Sequence, residues 1–268
     1  MRIVVGNIMA IYRRELQGYF ASPLAYAIAG AFWFLSGLFF VLIVQGALMQ
    51  SSMLDMQRQQ MGANAVPPFD VPSIVLEQFL GVISFIMLVI LPMLTMGLYS
   101  EERKQGTLEL LATSPITNWA VALGKLLGVL TFFVTLLLPV LMYEAIVLTG
   151  AEPPFPGTVF WVGHLGLLLL AAGVLSLGMF ISSLTASTIL AAILTFVLVF
   201  FLWVLDAIGR NLSGPIAEVF GHLSLLRHFD NFSQGILETS ALVLFASYIF
   251  LGIFLTAQSI EALRYQRS

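Results

Sequence analysis

The side chains that could do chemistry are few, and their spacing excludes most of it. The chain carries 14 Asp and Glu, 11 Lys and Arg, three His and no Cys in 268 residues. Without cysteine there is neither a disulfide nor a thiolate metal ligand. His164, His222 and His228 are too scattered for a metal site, and the zinc-helix pattern H-E-x-x-H is missing. No G-x-S-x-G turn presents a nucleophilic serine. Gly124-Lys125 is not a phosphate loop, because Leu126 stands where Ser or Thr is required and no glycine lies five residues earlier. We therefore expect no catalytic residue, no metal and no bound cofactor in this chain.

Two groups of ionisable residues remain. The denser lies in Tyr99–Lys125, YSEERKQGTLELLATSPITNWAVALGK, between an apolar run ending at Leu98 and another starting near Val121. Glu101, Glu102 and Arg103 fall where the first run stops, and can pair with one another or with a partner. Gly106-Thr107 breaks and restarts the chain, with Thr107 placed to cap a helix of one to two turns through Leu108, Glu109 and Leu111. So short a helix is not stable alone and needs something to dock on. We read the stretch as a handle that a partner on one side of a membrane pulls; an ordinary solvated loop is the alternative. The second group is Glu144, His164 and Asp206, inside or at the ends of apolar runs. An ionisable residue at membrane depth is a site candidate by default, although Glu144 and Asp206 fall near enough to an interface to reach water.

The elements that must hold these residues are set by composition. The chain is 59% hydrophobic and 9% charged, with mean hydropathy +0.99, whereas soluble domains are about 45–50% apolar and about 25% charged. This is the profile of an all-α integral membrane protein, since lipid leaves the backbone no partner outside a helix. At about 20 residues per crossing, six spans fit: 24–44, 79–98, 121–148, 160–181, 188–205 and 241–260. Ahead of them, 1–23 reads as an interfacial helix, with Ile8, Ile11, Tyr12, Leu16, Tyr19 and Phe20 on its apolar face and Arg13, Arg14 and Gln17 between. Ser22-Pro23 caps and starts the next helix. Residues 45–78 read as a flexible external loop and 206–240 as an external amphipathic or re-entrant segment, its stripe formed by Ile216, Val219, Phe220, Leu223 and Leu226. Pro92 and Pro139 should kink the second and third spans, and Gly124-x-x-x-Gly128 admits a close helix neighbour. A net charge of −3 gives no reason to expect a nucleic-acid partner.

Six spans put both termini on one side with the 99–120 loop. That side holds Arg2, Arg13, Arg14, Arg103, Lys104, Lys125, Arg264 and Arg267, against Arg58, Arg210 and Arg227 on the other. By the positive-inside rule the termini and the loop face the cytoplasm.

Three stretches carry a family resemblance. Glu102-Arg103-Lys104-x-Gly106-Thr107-Leu108-Glu109-x-Leu111, then Ser114-Pro115-Ile116 and Gly124-Lys125, resembles the first cytoplasmic loop of type-2 ABC exporter permeases. Arg14-Glu15-Leu16-x-x-Tyr19-Phe20-x-Ser22-Pro23-x-Ala25-Tyr26 resembles the gliding-motility and nitrous-oxide-reductase-maturation branch of the bacterial permeases. Ser224-Leu225-Leu226-x-His228-Phe229-x-Asn231-Phe232-x-x-Gly235-Ile236 is similar to the stretch before the last span in that branch.

The resemblance implies six transmembrane helices, an N-terminal interfacial elbow helix and a short cytoplasmic coupling helix, in a bacterial inner-membrane protein. It implies separate cytoplasmic ABC ATPase subunits, which bind ATP and Mg, and a second permease copy, identical or a sibling. Glu101, Glu102, Arg103, Gly106, Thr107, Leu108, Glu109 and Leu111 would then form the ATPase-coupling segment. Asp206, with Phe220 and His222 in the segment after the fifth span, would line the gate, and Glu144 is kept as a pathway candidate. The competing reading is an ATPase-independent secondary transporter or channel, which would usually show charged residues or broken helices at matching depth in two repeats. No internal repeat is visible here.

Overall fold

The computed structural model describes residues 2–62, 69–108, 116–151, 155, 157–211, 214, 219 and 221–265, and the regular structure among these is helical with no strand. In order the helices are α1 (Arg2–Ala21), α2 (Pro23–Met61), α3 (Val71–Thr95), α4 (Ser100–Lys104), α5 (Asn118–Thr149), α6 (Gly157–Leu184), α7 (Thr188–Asn211), α8 (Leu225–Ser233) and α9 (Thr239–Tyr265). Six stretches are long and apolar enough to cross a membrane: Pro23–Met61, Val71–Lys104, Asn118–Thr149, Gly157–Leu184, Thr188–Gly209 and Thr239–Ala262. The protein is an all-α membrane protein with six candidate spans.

Local chemistry sets the helix limits. Ser22 accepts a hydrogen bond from the Ala25 amide and Pro23 fills the first turn, so α2 begins where the sequence places a cap. It runs past the expected end at Val44 to Met61, through a segment read as loop. Residues 45–61 are polar but rich in Gln, Met and Leu, which favour helix, and Asp55 pairs with Arg58 one turn on. Gly62 stops the helix at φ 95. The second span likewise starts early: Asp70 caps α3 by accepting from the Ser73 amide, and Pro72 sits in its first turn. Beyond α7, the buried stripe is Leu225, His228, Phe229 and Phe232 of α8, whereas Val219 and Leu223 are exposed. Ile216 and Phe220 of the expected stripe lie outside the described residues. The stripe moved because Ser224 caps a helix that starts at Leu225, which resets the helical phase.

The most enclosed span is α6, which packs against α3, α5, α7, α8 and α9. Membrane helices associate where small residues let backbones approach. A Cβ on Gly166 would strike the Phe232 ring, and one on Gly252 of α9 would strike Ser176. Ser176 donates across that seam to the Tyr248 carbonyl at 3.2 Å. The fifth span, Thr188–Gly209, is the least enclosed, with Ile189, Ile193, Val197 and Phe201 exposed along one face.

Candidate functional site

The second span does not cross as one helix. Pro92 lies inside α3, the helix stops at Thr95, and Met96–Tyr99 forms a turn before α4 starts at Ser100. A broken helix leaves backbone groups that water cannot reach, so they must be satisfied from elsewhere. Ser182 of α6 accepts from both the Tyr99 and Ser100 amides at 3.1 Å and donates to the Met96 carbonyl at 2.9 Å. The Ser100 hydroxyl also donates to Met96 O. Tyr19 of α1 donates to the Leu94 carbonyl at 2.6 Å. Burial, then Glu15 and Glu101, hold the Tyr19 phenol well above its ordinary pKa, so it remains a donor. Lys125 of α5 donates to the Leu98 carbonyl at 2.8 Å. Three separate elements therefore hold the break in place.

Lys125 does more than cap a carbonyl. Its ammonium is 2% exposed, and its other two contacts are Glu15 Oε1 of α1 at 2.7 Å and Glu102 Oε1 of α4 at 3.0 Å. All three N–H donors are thereby used. The Tyr99 ring lies under the ammonium, 4.9 Å to its centre. Arg14, on the outer side, approaches the same Glu102 oxygen at 3.6 Å. Two cations and two carboxylates balance, which is what makes a buried charge tolerable. The close fit of α1 on α5 depends on the glycine pair: a Cβ at Gly124 would meet Ile11 at 2.8 Å, and one at Gly128 would meet the Glu15 Cβ at 2.7 Å. The neighbour that these glycines admit is the N-terminal helix.

Beyond Glu102 the chain turns outward. The Thr107 amide bonds back to Glu102 O at 2.9 Å and the Gly106 amide to Arg103 O at 3.3 Å, a Schellman closure that needs φ +72 at Gly106. The Thr107 hydroxyl donates to Glu102 O, so it closes α4. Arg103 is half-buried and donates to the Ser183 carbonyl at 2.8 Å. Glu101 is exposed over Gly97 and, with Glu15, lines a cleft of about 200 Å³ between α1, α2 and the end of α3. Leu108 is buried; Glu109 and Leu111 lie outside the described residues. Of the expected coupling residues, then, Glu102 is turned inward to Lys125, whereas Glu101 and Gly106 face outward.

At the opposite end of the bundle Glu144 and His164 meet, Oε2 to Nε2 at 2.9 Å. His222 is exposed. Asp206 falls within α7 and Phe220 outside the described residues; their side chains are not described.

Comparison with known families gives one result: the profile of the ABC-2 family transporter proteins matches residues 28–261. The chain belongs to this family. A search of curated proteins gave no match. The chain is a multi-pass permease of the ABC-2 type, a transmembrane subunit.

In this ABC-2 permease the sequence reading missed Glu15 and Lys125 as a pair. Glu15 sits on the inward stripe of α1 between Ile11 and Tyr19, so its position in the helical repeat was the available signal. Lys125 was a lone cation in an apolar run beside Gly124. Ser182 had no signal beyond its place in SSLTAS.

Proposed function

We propose that this permease is the membrane-spanning half of an ATP-driven exporter, moved by separate cytoplasmic ATPase subunits that bind ATP and Mg. It works beside a second permease copy, in a bacterial inner membrane with both termini cytoplasmic. Family membership supports the ATPase partnership in general terms; the observation that carries the mechanism is Lys125. A partner that displaces the 99–120 segment pulls on α4, and Glu102–Lys125–Glu15 passes that displacement to α5 and α1 together. The segment must favour one state of the ATPase over the other, or nothing is driven. Glu101, Gly106, Glu109 and Leu111 serve as the docking surface, while Glu102, Arg103 and buried Leu108 anchor it from within. The N-terminal motif supports placing the chain in the gliding-motility and nitrous-oxide-reductase-maturation branch. Phe220 and His222, after the fifth span, are assigned with Asp206 to the outer gate.

Affinity purification of the tagged chain in mild detergent tests the reading. An ABC ATPase should co-elute and hydrolyse ATP, and Glu101→Ala should weaken its retention. A chain that elutes alone and dissipates an ion gradient unaided in proteoliposomes would instead be a secondary transporter or channel.

A further inference from the structure

Glu144 and His164 take no part in the charge lock that Glu15, Lys125, Glu102 and Arg14 form. Glu144 is 0% exposed within the last two turns of α5, and His164 4% exposed within the first three turns of α6. His164 Nδ1 lies 2.8 Å from the Phe160 carbonyl of its own helix. A carbonyl only accepts, so Nδ1 carries hydrogen. Nε2 then faces Glu144 Oε2 at 2.9 Å. Two bare lone pairs at that separation repel, and a dry site does not screen them. One proton therefore belongs between these atoms, as imidazolium with carboxylate or as imidazole with carboxylic acid, and both forms are neutral overall.

The surroundings are apolar. The Phe160 ring lies 4.4 Å from the imidazole, and Tyr143, the next residue to Glu144, sits against Phe40 and Phe79. Glu144 Oε1 has no hydrogen-bond partner among the described residues. Apolar residues of the same volume would hold the two helices without this desolvation cost. A half-satisfied ionisable pair within two spans points to a role beyond packing.

We propose that Glu144 and His164 form a proton-binding site that joins the third and fourth spans at the end opposite the Tyr99–Ala120 loop, so that parting the spans there exchanges the proton with water. The ordinary pKa values are about 4.3 for Glu and about 6.5 for His. The closed pair holds one proton. Separated in water, the two groups hold none above about pH 6.5, one between, and two below about pH 4.3. Opening therefore releases a proton in neutral to alkaline medium and takes one up in strong acid. Other titratable groups stand toward that end on the elements packed around the pair. Asp55 pairs with Arg58 on α2, Glu77 of α3 accepts from Gln234, and His228 of α8 contacts its own helix at Ser224 O. Asp230 of α8 is half-buried and Glu238 precedes α9; α7 carries Asp206 and Arg210.

The site is independent of the ATPase reading and is tested on the purified chain alone. In Glu144→Gln the amide N–H donates to Nε2, keeping the contact without the shared proton. Unfolding in detergent across pH should then give opposite behaviour. The wild type loses stability above about pH 6.5 and is level from there down to about pH 4.3; the variant is level above about pH 6.5 and loses stability below it. The ratio of the two unfolding constants should change about tenfold per pH unit above about pH 4.3; a ratio independent of pH overturns the proposal. If the variant does not fold, nitrogen NMR of the three histidines decides on the wild type. The His164 ring should keep one protonation state as the pH crosses about 6.5, and a ring that gains a proton there overturns the proposal.

Discussion

Ser182 shows how much one small hydroxyl can hold. Two amides and a carbonyl released by the break in the second span all end on its Oγ. A buried donor left without a partner costs about 1–3 kcal/mol. Ser182→Ala should therefore lower stability by about 2 kcal/mol in detergent unfolding. Ser183→Ala should cost much less, because that hydroxyl bonds only Phe180 O in its own helix. Equal effects of the two substitutions would remove Ser182 from its role. Nothing in SSLTAS distinguishes these two serines, because the groups that Ser182 serves lie more than 80 positions away. The same separation hid the charge lock: Glu15 is 110 residues from Lys125. The ionisable residues themselves were visible, Glu144 and His164 among them, but only the fold brings them together.

Caps and composition made most of the helices legible. Ser22-Pro23 starts α2 as the sequence suggests, and six apolar stretches match six candidate spans. Polarity alone does not mark a loop: Gln45–Met61 continues α2 until Gly62 stops it at φ 95. Gly124-x-x-x-Gly128 signalled close contact without saying which helix makes it. The answer, α1, makes a firm prediction. Gly124→Leu places carbon against Ile11 and the Ile8 carbonyl, and the backbone there cannot yield. Overpacking of about 1–3 kcal/mol should loosen α1 and speed trypsin cleavage at Arg13 and Arg14. Gly30→Leu, with open space around it, should leave the rate unchanged. Equal cleavage of both variants would mean that α1 is not held by this seam.

For the molecule as a whole, the proposed function gives the two ends of the bundle different work. At one, α1, α4 and the start of α5 are joined through a single buried ammonium, beside the segment assigned to the ATPase. At the other, α5 and α6 meet through the Glu144–His164 contact. Because α5 runs unbroken from Asn118 to Thr149, a displacement at the first end reaches the second without a hinge, although Pro139 lies on the way. On the proposed function, that continuity makes the Lys125 cluster a rigid coupler between ATPase and pathway.

The most direct test is the separation of spin labels at exposed Arg13 and Gln105, measured in the complex with its ATPase, without nucleotide and with turnover trapped. If α1 and α4 move as one body through Lys125, the distance stays the same in both states, and it broadens when Lys125→Met, Glu15→Leu and Glu102→Leu are combined. A wild-type distance that changes with nucleotide would show the two helices moving apart, and would contradict the coupling mechanism.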